Sequence, residues 1–125
     1  MKINGREIKF MFNILASIEV ASLCKDGSLE NIGGLFDGPY EQVVKNNNAF
    51  IIALHRGYIE AQKEKDPNFD EEVITERELL LLDNQEYLKL QNEAYSAYYG
   101  DSKREVNTEP VKTKGKKTGT PKKSS

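Results

Sequence analysis

The stretch AFIIALHRGYIEA, residues 49–61, is the densest apolar run of the chain. Within it Phe50, Leu54 and Tyr58 recur every four residues and Ala61 follows three residues later, which places them on one face of a helix. Isoleucines widen that face until the first half of the run is apolar on nearly every side. Because a helix that is apolar all round must be covered on more than one side, we predict that this helix lies at the centre of the fold.

The residues before this helix predict a hairpin followed by helices. Asn4-Gly5 favours a tight type I′ turn, so we expect a small hairpin at residues 2–10. A first helix is expected from Asn13 to the Lys-Asp-Gly sequence at 25–27. Helical spacing is present in its residues Ile14, Leu15, Ile18, Ala21 and Ser22. Ser28 is a candidate N-cap for a short helix, which Gly33-Gly34 would weaken.

Further helices are expected on both sides of the central run. One begins near Pro39 or Tyr40, and the asparagines at 46–48 predict a kink, a break or an exposed turn before the central helix. Pro67 ends the central helix, because proline disfavours helical conformation in the residue before it. Asp70 is expected to cap a helix that reaches Leu82. The sequence at 83–86 then matches a capping box for a last helix, which ends at Gly100.

Length and charge divide the chain into two parts. A chain of 125 residues is long enough for one modest core, and we predict an all-α fold of four to five helices with a short N-terminal β-hairpin over residues 1–100. That part holds 10 Lys and Arg against 17 Asp and Glu, whereas residues 101–125 hold 8 against 3. Val106 and Val111 are the only large apolar residues of the basic part. We therefore predict a disordered tail at 101–125.

Few residues are suited to catalysis or to metal binding. His55 is the only histidine, and no ligand set surrounds it in the sequence, so a packed histidine is the favoured interpretation. Cys24 lacks an activating neighbour, indicates a reducing compartment, and is expected to be a small apolar residue. Gly33-Gly34 and Gly38 do not form a phosphate loop. We predict neither an enzyme nor a cofactor. No run is long enough to cross a membrane, and no secretory signal is visible at the N-terminus.

Two features are suited to binding. Tyrosine is favoured at protein interfaces, although it is more often a core residue, so we select four tyrosines as candidate protein-binding residues. They are Tyr58, Tyr95, Tyr98 and Tyr99. The six lysines at 112–123 could contact phosphates, but no aromatic residue accompanies them to stack on bases. A solubilising or partner-binding tail is favoured, and the alternative is a small nucleic-acid-associated regulator.

The order of segments resembles the tail assembly chaperones of long-tailed, siphovirus-type bacteriophages that infect Gram-positive bacteria. The resemblance covers about residues 1–100. It is carried by the opening INGREIKF at 3–10, the helix AFIIALHRGY at 49–58, the acidic helix start DEEV at 70–73 and the charged end of the chain. It lies in pattern and order, and the aromatic last helix is not a mark of the family.

The resemblance implies a non-enzymatic protein in the cytoplasm of the bacterial host, acting in virion morphogenesis. Such proteins bind the tape measure protein while tail tube subunits assemble around it, so the tape measure protein and the tail tube protein are the expected partners. Family members are often also made as a longer product by ribosomal frameshifting. Homo-oligomers are a further expectation, because an apolar helix surface can exceed what one small core covers.

Overall fold

A computed structural model of the chain describes residues 1–106, 115–116 and 119–120. The α-helices are α1 (Ile14–Leu23), α2 (Tyr40–Lys65), α3 (Glu76–Leu80) and α4 (Asn84–Val106), with 3₁₀ segments at Lys25–Gly27 and Leu29–Phe36. Strands β1 (Lys2–Ile3) and β2 (Arg6–Glu7) form one antiparallel pair, and β3 (Gly115–Lys116) and β4 (Gly119–Thr120) form another. The predicted class, mostly helical with an N-terminal hairpin, is confirmed. Within the described ranges, no helix combines the length and the apolar composition needed to span a membrane.

The N-terminal hairpin turns at the predicted pair. Asn4 and Gly5 have φ angles of 53° and 85°, and both positive values are required by a type I′ turn. Ile3 pairs with Arg6 across the turn and is buried, as is Ile8 just beyond β2. The hairpin is therefore fixed to the helices through two isoleucines, which a two-stranded unit needs because it is not stable alone.

Helix α2 lies at the centre, as its apolar pattern predicts. Phe50, Ile51, Leu54 and Ile59 are almost completely buried. These side chains are covered by α1, α3, α4 and the 3₁₀ segment Leu29–Phe36, which all contact α2. Asp66 ends α2 directly before Pro67, in agreement with the prediction.

The predicted kink, break or exposed turn at residues 46–48 is wrong. Helix α2 continues through the three asparagines, and Asn47 and Asn48 are buried. The Asn47 amide group donates to the Val43 carbonyl at 3.0 Å, and its Oδ1 accepts a hydrogen bond from the Tyr95 hydroxyl at 2.6 Å. Because these partners satisfy the buried side chain, tertiary packing outweighs the poor helix propensity of asparagine.

Asp70 does not cap a helix, so that prediction is also wrong. Residues 70–75 are not helical, and α3 begins only after Thr75, which forms a capping box with Glu78. The sequence Val73-Ile74-Thr75 is β-branched throughout, which favours extended backbone. Ile74 is buried there, and its backbone N–H donates to His55 Nδ1 at 2.9 Å.

The last helix starts as predicted but ends later. The Glu86 backbone N–H donates to the Asp83 side chain at 2.9 Å, as expected of an N-cap. Helix α4 then passes through Gly100 to Val106, so the predicted end at Gly100 is wrong. Gly100 is not among the glycines with positive φ, and a glycine that stays helical weakens a helix by only about 1 kcal/mol. Apart from β3 and β4, the rest of the predicted disordered tail lies outside the described residues.

Candidate binding surfaces

Three of the four candidate tyrosines lie together on α4. The ring of Tyr98 is 4.6 Å from that of Phe12 and 5.1 Å from that of Tyr99, and Tyr99 lies 6.3 Å from Tyr95. Tyr98 is buried and Tyr95 is half-buried, whereas Tyr99 is 53% exposed. Tyr58 contacts none of these rings and packs against Phe69 instead. Of the four, Tyr99 is therefore the one that presents most of its surface to a partner.

The half-buried tyrosines of α4 hold that helix against α2. The Tyr95 hydroxyl donates to Asn47, and the Tyr87 hydroxyl donates to Asn48 Oδ1 at 2.7 Å. Burial raises the pKa of Tyr87 to about 12, so its hydroxyl keeps its proton. These hydrogen bonds form a polar layer between two helices, and such layers fix helix register because a slip would leave buried groups unpaired.

An apolar face of α1 points away from the core, and sequence reasoning did not anticipate this. We define the α1 face as Ile14, Leu15, Ile18 and Ser22. Ile14 is 76% exposed and Ile18 is 63% exposed. These residues carry the helical spacing that predicts this helix, but α1 buries a different set, Ala16 and Val20. The apolar residues with helical spacing therefore form an exposed surface and not the buried side of α1.

Small residues explain why α1 turns this face outward. Gly57 of α2 lies so close to α1 that a Cβ placed on it would stand 3.1 Å from the Ala16 Cβ. The Asn13 amide donates to the Gly57 carbonyl at 3.0 Å, and the same side chain caps α1. Because small residues permit the closest helix approach, the contact selects the Ala16 side of α1 and leaves the isoleucines outside. Ala16, a small residue four positions before the buried Val20, was the signal in the sequence.

The α1 face carries no charge, and its polar atoms have partners. The Ser22 hydroxyl donates to the Glu19 carbonyl at 2.6 Å, so a partner could cover Ser22 without leaving an unpaired donor. Glu19, on the edge of the face, forms an ion pair with Arg56 of α2. The face is therefore suited to an apolar partner surface, with little penalty for removing charge from water.

A second apolar surface lies between α3 and α4. We define the leucine ridge as Leu80, Leu81 and Leu82; Leu80 is 58% exposed and Leu81 is 72% exposed. A groove of about 240 Å³ on one side of the ridge is lined by Tyr40, Val44, Leu79, Leu80, Leu82, Asn84 and Tyr87. A groove of about 310 Å³ on the other side is lined by Asn4, Thr75, Arg77, Glu78, Leu81, Leu82 and Glu86. Four consecutive leucines at 79–82, which run past the end of the five-residue helix α3, were the sequence signal for this surface.

The two residues considered for chemistry, His55 and Cys24, are both buried. His55 is completely buried, and its Nδ1 accepts the hydrogen bond from Ile74. Cys24 is buried at the end of α1, and burial raises the pKa of its thiol. Among the described residues, no group of three or more His, Cys, Asp or Glu side chains could hold a metal ion. Both residues occupy structural positions, as their sequence contexts predict.

Comparison of the chain with protein-family models, with curated proteins and with solved structures finds no match. The function must therefore be inferred from the surfaces described above and from the resemblance in segment order.

Proposed function

We propose that this protein is a phage tail assembly chaperone that binds the tape measure protein and keeps it soluble during tail morphogenesis. The observation that carries the proposal is the α1 face, an uncharged apolar helix surface of which Ile14 and Ile18 form the most exposed part. The resemblance in segment order over residues 1–100 supports the same role. Both features favour a binding protein over an enzyme.

The α1 face is suited to the chemistry of such a partner. A long helical chain with apolar faces aggregates when it is exposed before assembly. A partner helix laid against α1 would bury Ile14, Leu15 and Ile18 by helix-in-groove or helix-on-helix contact. Because the contact is apolar and uncharged, it discriminates weakly between sequences. That property suits a chaperone that must cover successive segments of one long chain.

The test is co-expression of the chain with the large product of the neighbouring tail gene, followed by pull-down in moderate and in high salt. We expect the partner to stay soluble and to be retained in both, because salt screens charges but does not weaken apolar contacts. The double variant Ile14→Ser with Ile18→Ser should lose the partner. The control Glu60→Ser with Lys63→Ser changes two exposed, paired residues of α2 without changing the net charge, and it should retain the partner.

Other outcomes of this experiment contradict the proposal. Equal retention by the α1 variant and the control would place the binding elsewhere. Recovery of nucleic acid that decreases steeply with salt, with no tail protein retained, would favour the alternative regulator, because binding to phosphates releases counterions. In that case the lysines at 112–123 would form the nucleic-acid-binding site.

A further inference from the structure

We propose that the leucine ridge is a second binding site, which takes a cationic amphipathic segment of another protein. The inference goes beyond the proposed function, because it concerns a different surface and a partner of different chemistry. Leu80 and Leu81 are largely exposed at the end of α3, where the chain turns into α4. Together with the apolar lining of the adjacent groove they form a contiguous apolar patch, and contiguous patches of this kind mark interaction sites.

The shape of the surface is suited to side chains on one face of a helix. The ridge has a groove on each side, and Leu82 lines both of them. The groove next to Leu80 is mostly apolar and is completed by Tyr40, which is 80% exposed at the start of α2. Apolar side chains of a partner helix could occupy the groove next to Leu80, as in helix-in-groove recognition, whereas the groove next to Leu81 is lined by carboxylates and suits polar or cationic side chains.

The charge around the ridge selects the partner. Residues 75–86 carry four carboxylates, Glu76, Glu78, Asp83 and Glu86, against the single cation Arg77. Glu78 and Glu86 line one groove together with Arg77, and Glu78 also lies 3.8 Å from Arg6, so carboxylates remain in excess around the ridge. Glu76 is close enough to Tyr87 in the other groove to contribute to the raised pKa of that hydroxyl. An apolar strip with acidic borders is complementary to leucine-like side chains flanked by lysine or arginine.

The same charges argue against other occupants. A second copy of the chain would place carboxylates against carboxylates, which opposes pairing. Nucleic acid and anionic membranes would be repelled for the same reason. The chain's own residues 107–125 have the right charge, with six lysines and one glutamate, but Val111 is their only large apolar residue. A separate protein segment with several apolar side chains therefore fits the grooves best.

The test uses the full chain and two labelled peptides of equal length and identical leucine spacing. One peptide carries lysine at its polar positions and the other carries glutamate, and binding is measured by fluorescence anisotropy. We expect the leucine–lysine peptide to bind at least tenfold more tightly than the leucine–glutamate peptide. The variant Leu81→Ser should weaken binding of the leucine–lysine peptide at least tenfold, while Glu86→Gln should weaken it less and reduce its salt dependence.

Two controls separate the ridge from other surfaces. Ile18→Ser on the α1 face should leave peptide binding unchanged, and a thermal melt of Leu81→Ser should match that of the parent chain, because Leu81 is exposed. Equal affinity for both peptides, or no effect of Leu81→Ser, would overturn the proposal. A tenfold gain in affinity when Lys112, Lys114, Lys116, Lys117, Lys122 and Lys123 are changed to Gln would also overturn it, since the chain's own tail would then be the occupant. None of these results depends on retention of the tape measure protein.

Discussion

At the scale of single residues, His55 links α2 to the extended segment before α3. Its Nδ1 accepts a hydrogen bond from the Ile74 backbone, so in the neutral ring the proton lies on Nε2, which is buried without a partner among the described residues. Burial and, to a smaller extent, the nearby Arg6 lower the pKa of His55 to about 4, while Glu78 opposes the shift. The folded chain therefore holds a neutral imidazole.

This arrangement predicts a loss of stability in mild acid. Above pH 6.5 both the folded and the unfolded chain carry a neutral His55. As the pH falls from 6.5 towards 4, the unfolded chain takes up a proton that the folded chain does not, so the free energy of unfolding decreases by up to about 1.4 kcal/mol per pH unit. Urea unfolding at pH 7, 6 and 5 measures this decrease.

His55→Asn is the matched variant, because asparagine offers an acceptor near the position of Nδ1 but does not titrate. We expect the variant to be less stable than the parent at pH 7 and to lose less stability between pH 6.5 and 5. If the parent and the variant lose the same stability between pH 6.5 and 5, protonation of His55 in the unfolded chain does not explain the loss. Glu7, whose pKa is lowered by its hydrogen bond to the N-terminus, contributes only at lower pH.

The roles of single residues could be predicted only in part. A packed His55 and an unreactive Cys24 follow from the lack of suitable neighbours in the sequence. The tyrosines could not be sorted in this way, because Tyr95 and Tyr99 have the same chemistry and differ only in their position on α4. Tyr95 finds Asn47, which is 48 residues away in the chain, and such a contact leaves no local pattern.

At the scale of elements, the crossing of α1 and α2 at Gly57 decides which side of α1 is buried. A Cβ on Gly57 would stand 2.7 Å from both the Asn13 Oδ1 and the Met11 carbonyl oxygen. Neither atom can move easily, because Asn13 caps α1 and Met11 donates its backbone N–H to the Leu54 carbonyl. The glycine is required by this close approach.

Gly57→Ala should therefore destabilise the protein by about 1–3 kcal/mol, the usual effect of overpacking a core contact. Gly33→Ala is the matched control, since a Cβ there meets nothing within 4 Å and the residue has no positive φ. The control should leave stability unchanged or raise it by up to about 1 kcal/mol. Urea unfolding of the two variants measures both effects, and equal stability of the two would contradict the close packing at Gly57.

Elements with strong local signals could be predicted from the sequence, and those fixed by distant contacts could not. The Asn4-Gly5 turn, the start of α1 near Asn13 and the end of α2 at Pro67 each depend on neighbouring residues, and all three are confirmed. The unbroken α2 at residues 46–48 depends on partners in α4. The late start of α3 depends in part on the hydrogen bond from Ile74 to His55.

At the scale of the whole molecule, the two apolar surfaces differ in charge. The α1 face is uncharged, and the one carboxylate on its edge, Glu19, is paired with Arg56. The leucine ridge has acidic borders. A symmetric dimer brings the same patch of two copies together, so an uncharged patch can pair with itself whereas a patch of one charge repels its copy. Of the two surfaces, the α1 face is therefore the one that could support the homo-oligomer expected from the sequence.

We predict that the free protein self-associates weakly through the α1 face. Helix α1 has only ten residues and a length of about 15 Å, so one pair of faces buries less than the roughly 800 Å² per partner of a stable complex. Sedimentation should therefore show a dimer only at high protein concentration, and added salt should not weaken it. Ile18→Ser should remove the dimer, while Leu81→Ser, which changes the acidic surface, should leave it unchanged. A dimer that Leu81→Ser disrupts and Ile18→Ser does not would reverse this assignment. It would also mean that the carboxylates around two facing leucine ridges do not prevent the ridges from pairing.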